Sequence, residues 1–291
     1  MKLVWCSLLV LLVLLAAAGL ANATPADVDW QILGSIDVDA EVRDMAISAE
    51  GRWVYVLTAD NEIRIYSSGG KLKGAMPIDP GYDRIKAGPR EDILLVSNRD
   101  AKNVQLVSVN PVHAFDLGDA PVKGPPEAPV TITVFSDFEC AFCARLPKVL
   151  DQVAAAYPQE VRIAFKHYPL SSHEFALPAA QAAVAAQQQG KFWAFHDRLF
   201  QHFSELDESR IDMITRDLGL DAARFAKDRS SARTRDIIEA DRREGYQAGV
   251  TGTPALFING RKQYRRDMNA IVDAVERELE AHSRAQPSPK P

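Results

Sequence analysis

Two closely spaced cysteines in this chain have the pattern of a redox pair. Cys140 and Cys143 are separated by two residues, whereas the third cysteine, Cys6, lies in an apolar leader. When such a pair opens a helix, the unpaired backbone N–H groups and the helix dipole favour a thiolate on the first cysteine. The second cysteine, one helical turn later, can attack a mixed disulfide formed by the first. The pattern therefore predicts a redox-active disulfide in which Cys140 is the attacking thiol and Cys143 the resolving thiol.

Other uses of a C-x-x-C pair compete with this interpretation. A c-type haem attachment site needs histidine directly after the second cysteine, and Ala144 excludes it. A zinc site needs two further ligands, for which His167 and His173 are the nearest candidates on the C-terminal side. A purely structural disulfide that closes so short a loop would add little stability. Zinc binding and an inert disulfide stay as alternatives, and a redox pair with no metal and no cofactor is the favoured interpretation.

The segments around the cysteines have the pattern of a strand followed by a helix. Val130–Phe135 is a β-branched run typical of a buried strand, and a four-residue turn separates it from Cys140. Apolar residues then recur at helical spacing as far as Ala154, with Pro147 near the first turns. The pattern also predicts strands at residues 161–165 and 253–259, helices between residues 173 and 249, and a closing helix at residues 268–282.

Several motifs in this part of the chain resemble the DsbA-like branch of the thioredoxin superfamily. The sequences FSDFECAFC at residues 135–143 and GVTGTP at residues 249–254 carry most of the resemblance. The sequences YPL at residues 168–170 and GKFW at residues 190–193, together with His173, belong to it as well. The resemblance implies that the protein is a thiol:disulfide oxidoreductase.

The resemblance spans about residues 111–282 and implies an α/β thioredoxin-like fold with an inserted helical domain. The corresponding domain is expected to cover residues 111–283, with the helical insertion at about residues 172–249. The resemblance further implies that the bond between Thr253 and Pro254 is cis, faces the cysteines and binds substrate. A proline at a strand start independently favours this role, because adjacent backbone groups are left free to pair with an extended substrate.

The residues beside the cysteines affect the thiolate. Many relatives carry proline directly after the first cysteine, where this chain has Ala141, so their reduction potentials cannot be transferred. The negative charges of Asp137 and Glu139 would oppose a thiolate on Cys140. Both carboxylates are therefore expected to point to solvent.

A predicted helix at residues 191–203 carries both aromatic and histidine residues. Its aromatic side chains are expected in the core, whereas His196 and His202 are expected on the surface. Lys166 and His167, at the end of the second predicted strand, are assigned no role.

The N-terminal part of the chain has short alternating segments typical of β-strands. The strand pair predicted at residues 52–58 and 61–66 recurs at residues 92–97 and 103–108, an offset of 39 to 41 residues. That offset is the length of one propeller blade, although two blades cannot close a ring. Residues 24–110 are therefore predicted to form a small all-β domain of two propeller-like repeats. A small antiparallel sheet packed on the next domain is the alternative.

The composition of the 291-residue chain is that of a globular protein with room for two domains. Hydrophobic residues make up 47% and charged residues 25%, which excludes a wholly disordered chain. The net charge of −5 provides no basic footprint for nucleic acid. Nucleic-acid binding is therefore not predicted.

The first 23 residues have the pattern of a secretory signal peptide. Lys2 precedes an apolar run that ends at Leu20, and residues 21–23 form an A-x-A cleavage signature. Cleavage is expected after Ala23, with an uncleaved anchor as the alternative. The chain that remains has no cysteine outside the C-x-x-C pair, which suits an oxidising compartment. A periplasmic protein is therefore predicted, with a flexible tail at residues 284–291.

Together these features predict an extracytoplasmic thiol:disulfide oxidoreductase that acts on secreted proteins, most simply as an oxidant. Its partners would be exported proteins with cysteines and a membrane redox partner that resets the pair. A disulfide isomerase or reductase of the DsbC/DsbG type is an alternative, with residues 24–110 forming a homodimer. A further alternative is a non-enzymatic β-repeat scaffold that carries an inert thioredoxin-like domain.

Overall fold

The computed structural model describes residues 31–285, and its sheets and helices all lie in one compact unit that begins at Ala40. The predicted signal peptide at residues 1–23 and most of the predicted tail lie outside the described residues. Residues 31–39 contain no helix or strand. Among the described residues, no helix is long and apolar enough to cross a membrane.

Seven strands form two antiparallel sheets in the N-terminal part of this unit. The first sheet contains, in order, β1 (Val42–Ile47), β2 (Trp53–Thr58), β3 (Glu62–Ser67) and β4 (Leu72–Pro77). The second contains β5 (Tyr82–Ala87), β6 (Ile93–Asn98) and β7 (Asn103–Ser108). The four predicted strands correspond to β2, β3, β6 and β7. Strands β1, β4 and β5 are additional, because irregular pairing next to each of them breaks the two-residue alternation on which the prediction depends.

The two N-terminal sheets share one apolar core, and β1 lies against β5 where the sheets meet. The buried residues of this core are Trp53, Tyr55, Leu57, Ile63, Tyr82, Ile85, Leu94, Val96 and Val109. Apolar side chains on the outer strands stay exposed, namely Val42, Met45, Ile47, Leu72, Val104 and Leu106. An all-β region is thus present as predicted. The described strands do not close into a ring, so the propeller-like character stays a prediction.

A five-stranded mixed sheet forms the centre of the C-terminal part, in the order β12-β11-β9-β10-β8. Its strands are β8 (Val122–Lys123), β9 (Val130–Ser136), β10 (Val161–His167), β11 (Ala255–Ile258) and β12 (Arg261–Gln263). Strands β9 and β10 are parallel, and β11 is antiparallel to β9. The short edge strands β8 and β12 are additional to the sequence prediction. This sheet has the thioredoxin-like arrangement that the resemblance implied.

Seven α-helices accompany this sheet within the described residues. Helix α1 (Ala141–Ala156) connects β9 to β10, and α7 (Met268–Ala285) follows β12. Five α-helices lie between β10 and β11 in the described chain: α2 (Ala176–Gln187), α3 (Phe192–Gln201), α4 (Glu208–Asp217), α5 (Ala222–Arg229) and α6 (Ala232–Gln247). The side chains of Asp207, Asp221 and Ser231 cap α4, α5 and α6 by accepting hydrogen bonds from backbone N–H groups of the first turn.

Two apolar cores cover the sheet. One core contains residues of α1 and α7 packed on the central strands, including Leu150, Ile132 and Val275. The other joins the end of the sheet to the inserted helices and includes Phe165, Phe195 and both cysteines of the pair. The small side chains of α2, most of them buried alanines, allow its neighbours to approach closely. The cysteines therefore lie at the boundary between the central sheet and the inserted helices.

The N-terminal sheets contact the C-terminal part beside the loop that leads to Pro254. The guanidinium of Arg52 lies against Gly249, whose φ of +71° is in the left-handed region. Lys262 donates a 2.7 Å hydrogen bond to the carbonyl oxygen of Gly249, and its own carbonyl accepts a 2.8 Å bond from the Asn110 side chain. The β region is therefore packed on the part of the molecule that carries the cysteines.

Candidate active site

Cys140 lies at the N-terminus of α1, directly after the turn that ends β9. It occupies the N-cap position with φ −81° and ψ 119°, and Ala141 is the first helical residue. Both Cys140 and Cys143 carry free thiols, and their exposed fractions are 7% and 1%. The strand, turn and helix predicted from the sequence thus bring the two sulfur atoms to one place, with Cys143 the more deeply buried.

The environment of the two thiols separates their acidities. Hydrogen bonds from the Cys143 thiol and from the backbone N–H groups of Cys143 and Phe142 lower the pKa of Cys140 to about 5, against the opposing effect of burial. Burial raises the pKa of Cys143 above its usual range. At neutral pH, Cys140 is therefore a thiolate and Cys143 a thiol. In this state Cys140 is the nucleophile and Cys143 is unreactive.

The turn before Cys140 is held by two carboxylates, of which Asp137 is buried and Glu139 is half-buried. Asp137 accepts hydrogen bonds from the backbone N–H of Glu139 at 2.7 Å and of Leu170 at 2.8 Å, and lies 2.9 Å from the His173 ring. Glu139 accepts a 2.7 Å bond from the backbone N–H of Phe175. The expectation that Asp137 and Glu139 point to solvent is wrong, because both carboxylates turn inward and accept hydrogen bonds from backbone N–H groups of these turns.

Thr253 and Pro254 lie across from the cysteines. The peptide bond between them is cis, as the resemblance implied. The sulfur of Cys140 lies 3.5 Å from the carbonyl oxygen of Thr253. Strand β11 begins directly afterwards and pairs with β9 through Ala255 and Phe135, which positions the loop against the turn.

Phe142 was not singled out as a functional residue by the sequence, yet its position is distinctive. It lies between the two cysteines, and 68% of its surface is exposed. Arg145 places its guanidinium 5.7 Å from the centre of the Phe142 ring. An exposed aromatic ring therefore lies on the surface beside the Cys140 thiol.

His196 is buried, so the prediction that it lies on the surface is wrong. Only 5% of it is exposed, because α3 turns this side toward the core shared with β10. The ring packs against Phe192 and Phe200, four residues before and after it on the same helix face. That spacing is the signal in the sequence that would have indicated burial.

Lys166 and His167 are buried at the end of β10. The Lys166 ammonium contacts Asp241 at 2.9 Å and Glu244 at 3.0 Å. Both ring nitrogens of His167 are buried without a hydrogen-bond partner in the described part of the chain. Burial lowers the pKa of His167 to about 3 and keeps the ring neutral.

The histidines considered as zinc ligands are not gathered around the cysteines. His173 is bound to Asp137, whereas His167 packs among aromatic rings. Across residues 31–285, no group of three or more histidine, cysteine, aspartate or glutamate side chains is placed to hold a metal ion.

Comparisons with known proteins match the cysteine-bearing part of the chain to the thioredoxin family. A family model described as Thioredoxin matches residues 117–277, more than half of the chain. The chain is 37% identical over 144 residues to the Na(+)/H(+) antiporter NhaA 3 of Salinispora tropica, a match that covers 49% of this chain and 22% of that protein. The chain therefore spans only about a fifth of the length of this curated relative.

Solved structures give the same result for the fold. A thioredoxin-like oxidoreductase from Silicibacter pomeroyi matches with 29% identity and a TM-score of 0.51, over 56% of this chain and 94% of that one. BdbD from Bacillus subtilis matches with 17% identity and a TM-score of 0.52, over 58% of this chain and 97% of that one. At such low identity the second likeness concerns the fold alone.

Proposed function

The chain belongs to the thioredoxin family, and from its resemblance to the DsbA-like branch we propose that it is an extracytoplasmic thiol:disulfide oxidoreductase. The observation that carries the proposal is the pair itself. A thiolate with a pKa of about 5 lies at a helix start, next to a buried protonated thiol and opposite the carbonyl of Thr253. Cys140 exchanges disulfides with the client, and Cys143 closes or opens the internal disulfide.

The low pKa of Cys140 favours the oxidant direction. In C-x-x-C proteins this pKa is about 7 in thioredoxin and about 3.5 in a strong oxidant, and a stabilised thiolate makes the disulfide more oxidising. A client thiolate attacks Cys140, and Cys143 leaves as a thiolate that takes up a proton. A second client thiolate then attacks the client sulfur and releases the Cys140 thiolate. The client gains a disulfide, and the pair carries away two electrons, which a membrane redox partner would remove.

We propose that Thr253 and Pro254 bind the client beside Cys140. Backbone groups of this loop face the reacting sulfur, and the proline lacks an N–H that would otherwise enter the sheet. An extended cysteine-bearing segment can therefore pair with the loop by main-chain hydrogen bonds while its apolar side chains contact Phe142. The expected clients are exported proteins that still expose cysteines in unfolded segments.

The location and domain division are also proposals. Residues 1–23 would direct export to the periplasm, and residues 24–110 and 111–283 would form the two domains, with the helical insertion at about 172–249. Mass measurement of the exported protein tests cleavage after Ala23. A start at Thr24 is expected, whereas an intact leader would show an anchored protein.

The N-terminal sheets favour a second candidate function, that of a dimeric isomerase. Two sheets with the offset of propeller blades leave the edges of β4 and β7 unpaired within the described residues, and Val104 and Leu106 are exposed on β7. Such edges can pair with a second copy of the chain. An isomerase would be a homodimer recovered with reduced cysteines, whereas an oxidant would be recovered with an oxidised pair. Light scattering and thiol alkylation of the exported protein distinguish the two.

The proposal predicts that the two cysteines respond differently to substitution. Cys143→Ser is expected to accumulate a mixed disulfide with an unfolded client that carries a disulfide, because the Cys140 thiolate attacks that disulfide, one client thiolate leaves, and the resolving thiol is gone. Cys140→Ser, the matched control, is expected to form no such adduct. Non-reducing electrophoresis measures both. Equal adduct yields from the two variants would contradict the assigned roles.

The reduction potential of the Cys140–Cys143 pair tests whether the protein acts as an oxidant or as a reductant. Equilibration with glutathione should give a value between about −120 and −200 mV, above the roughly −270 mV of thioredoxin. A value near that of thioredoxin would favour a reductase.

A further inference from the structure

A small cavity lies against the buried thiol of Cys143. Its volume is about 30 Å³, room for one water molecule. Polar side chains on its wall include Ser136, His196 and Asp197, and apolar side chains such as Phe165 and Phe200 complete it. The cavity therefore connects the resolving thiol with a buried imidazole.

Cys143 needs a proton acceptor to act as a nucleophile. Its thiol must lose a proton before it attacks, yet burial raises its pKa and favours the neutral thiol. Asp137, the buried carboxylate next in the turn, is already occupied by two backbone N–H groups and His173. Asp151, on the cavity wall, is bound to Lys123 at 2.6 Å and is 55% exposed. Neither carboxylate is placed to take the proton.

His196 is oriented for this task. Its Nδ1 lies 2.8 Å from a carboxylate oxygen of Asp197, so an N–H at Nδ1 donates to the carboxylate and the lone pair is left at Nε2. The rings of Phe138, Phe165 and Phe200 enclose the imidazole, with centroids 4.8 to 5.9 Å from its own. The histidine is therefore fixed in position, and the Asp197 carboxylate stabilises the imidazolium that forms when a proton arrives.

The neighbouring histidine does not meet these conditions. His167 is buried in the same core but does not lie on the wall of the cavity. Neither of its ring nitrogens has a partner in the described residues that would orient the ring or balance a positive charge. Of the two buried imidazoles, only His196 combines a carboxylate partner with access to the cavity.

We propose that His196, oriented by Asp197, accepts the proton of Cys143 through the cavity during resolution of the mixed disulfide. The proposal rests on the proposed function. The S–H bond of Cys143 breaks and its proton passes to Nε2 of His196 by way of one water molecule. The new thiolate attacks the sulfur of Cys140, the bond between Cys140 and the client sulfur breaks, and the client leaves as a thiolate. In the oxidant direction, His196 returns the proton to Cys143.

The test follows the two thiol steps separately in the full chain. Reduced protein is mixed with one equivalent of dithiobis(nitrobenzoate), a coloured reporter disulfide. Attack by Cys140 releases the first nitrothiobenzoate, and attack by Cys143 on the mixed disulfide releases the second. Cys143→Ser should show the first phase only, which assigns the second phase to the resolving thiol.

His196→Gln keeps the size of the side chain but cannot accept the proton. We expect its second phase to slow by at least about a hundredfold, the lower end of the range for a general base, while the first phase stays within about twofold. His202→Gln, a histidine at the end of the same helix, is the matched control and should leave both phases unchanged. In His196→Ala, added imidazole should accelerate the second phase alone.

Three results would overturn the proposal. An unchanged second phase in His196→Gln would show that the proton goes elsewhere. Equal slowing of both phases, or a slowed second phase in His196→Ala that does not respond to imidazole, would show a structural role. Failure of the proposed function would appear differently, as an inability of the unsubstituted protein to oxidise a reduced client, an assay that does not involve the reporter disulfide.

Discussion

The N-terminal sheets and the central sheet of the C-terminal part differ in what covers them. Strands β9 and β10 are buried along nearly their whole length beneath helices on both sides. Strand β7 is exposed at all but one of its six residues, and apolar side chains of β1 also face solvent. The difference fits the proposed roles of the two regions, because thiol chemistry needs an enclosed site of controlled acidity, whereas an open sheet leaves surface with which a second copy could pair.

The two regions also differ in how they hold buried charge. In the C-terminal part, the ammonium of Lys166 contacts the carboxylates of Asp241 and Glu244, and the side chains of Lys166 and Asp241 are each only 6% exposed. In the N-terminal part, the buried carboxylate of Glu91 accepts hydrogen bonds from the Ser48 hydroxyl and the Glu50 N–H, both at 2.6 Å. Most other ion pairs of the N-terminal part have at least one exposed partner. Charge substitutions should therefore be far more costly around β10 than in the outer sheets.

Lys166→Met would give the largest expected effect on stability. Removal of the ammonium leaves the Asp241 carboxylate buried without its partner, which should reduce the free energy of unfolding by about 3–5 kcal/mol. The matched control is Arg99→Met, which removes a 3.2 Å pair between an Arg99 side chain that is 71% exposed and an Asp83 side chain that is 39% exposed, and it should cost less than about 1 kcal/mol. Urea unfolding measures both. Similar losses of unfolding free energy in the two variants would show that buried charge near β10 matters no more than surface charge in the N-terminal sheets.

Gly249→Ala should give the next largest effect and tests how firmly the regions are joined. The left-handed φ of Gly249 would cost alanine about 1–2 kcal/mol, and the new methyl would also collide with the Arg52 guanidinium, at about 1–3 kcal/mol. Arg52→Ala in the same chain should relieve the collision and leave the backbone strain. A double-mutant cycle by urea unfolding should therefore give a coupling of at least about 0.5 kcal/mol. If the effects of the two substitutions on the free energy of unfolding are strictly additive, the N-terminal sheets are not held firmly against the Gly249 loop.

His167→Phe tests the burial of a titratable group beside β10 through the pH dependence of the free energy of unfolding. Burial lowers the pKa of His167 to about 3, whereas the unfolded imidazole titrates near 6.5, so this group's contribution to stability is complete above pH 6.5 and is lost as pH falls toward 3. The phenylalanine variant lacks this loss. Between pH 7 and pH 5 its free energy of unfolding should therefore rise by about 2 kcal/mol relative to the unsubstituted protein. A pH-independent difference would show that His167 is solvated or paired in the folded protein.

Leu106→Lys should have the smallest effect on stability. The side chain is 73% exposed on β7, so the free energy of unfolding should change by no more than about 0.5 kcal/mol. If the open sheet pairs with a second copy, the charge should nevertheless lower the mass seen by light scattering. Lys102→Ala, in the turn before β7, is the control and should leave the mass unchanged. An unaltered dimer in the leucine variant would place the association elsewhere.

The sequence by itself determined the chemistry and the order of the elements around it. Spacing alone indicated that Cys140 opens a helix and that Cys143 lies one turn behind it, because a strand, a turn and a helix start are local patterns. The four strongly alternating strands of the N-terminal sheets were predictable for the same reason. The cis bond before Pro254 followed from the resemblance of its motif.

Only the tertiary structure decided which polar side chains are buried. Asp137 turns inward because Leu170 and His173 approach it from another segment, and His196 is covered because α3 packs against Phe165 of β10. The short strands β8 and β12 exist only as partners of longer neighbours. These features depend on contacts between residues far apart in the chain, and a local pattern of polar and apolar residues carries no information about which distant group will satisfy a buried donor or acceptor.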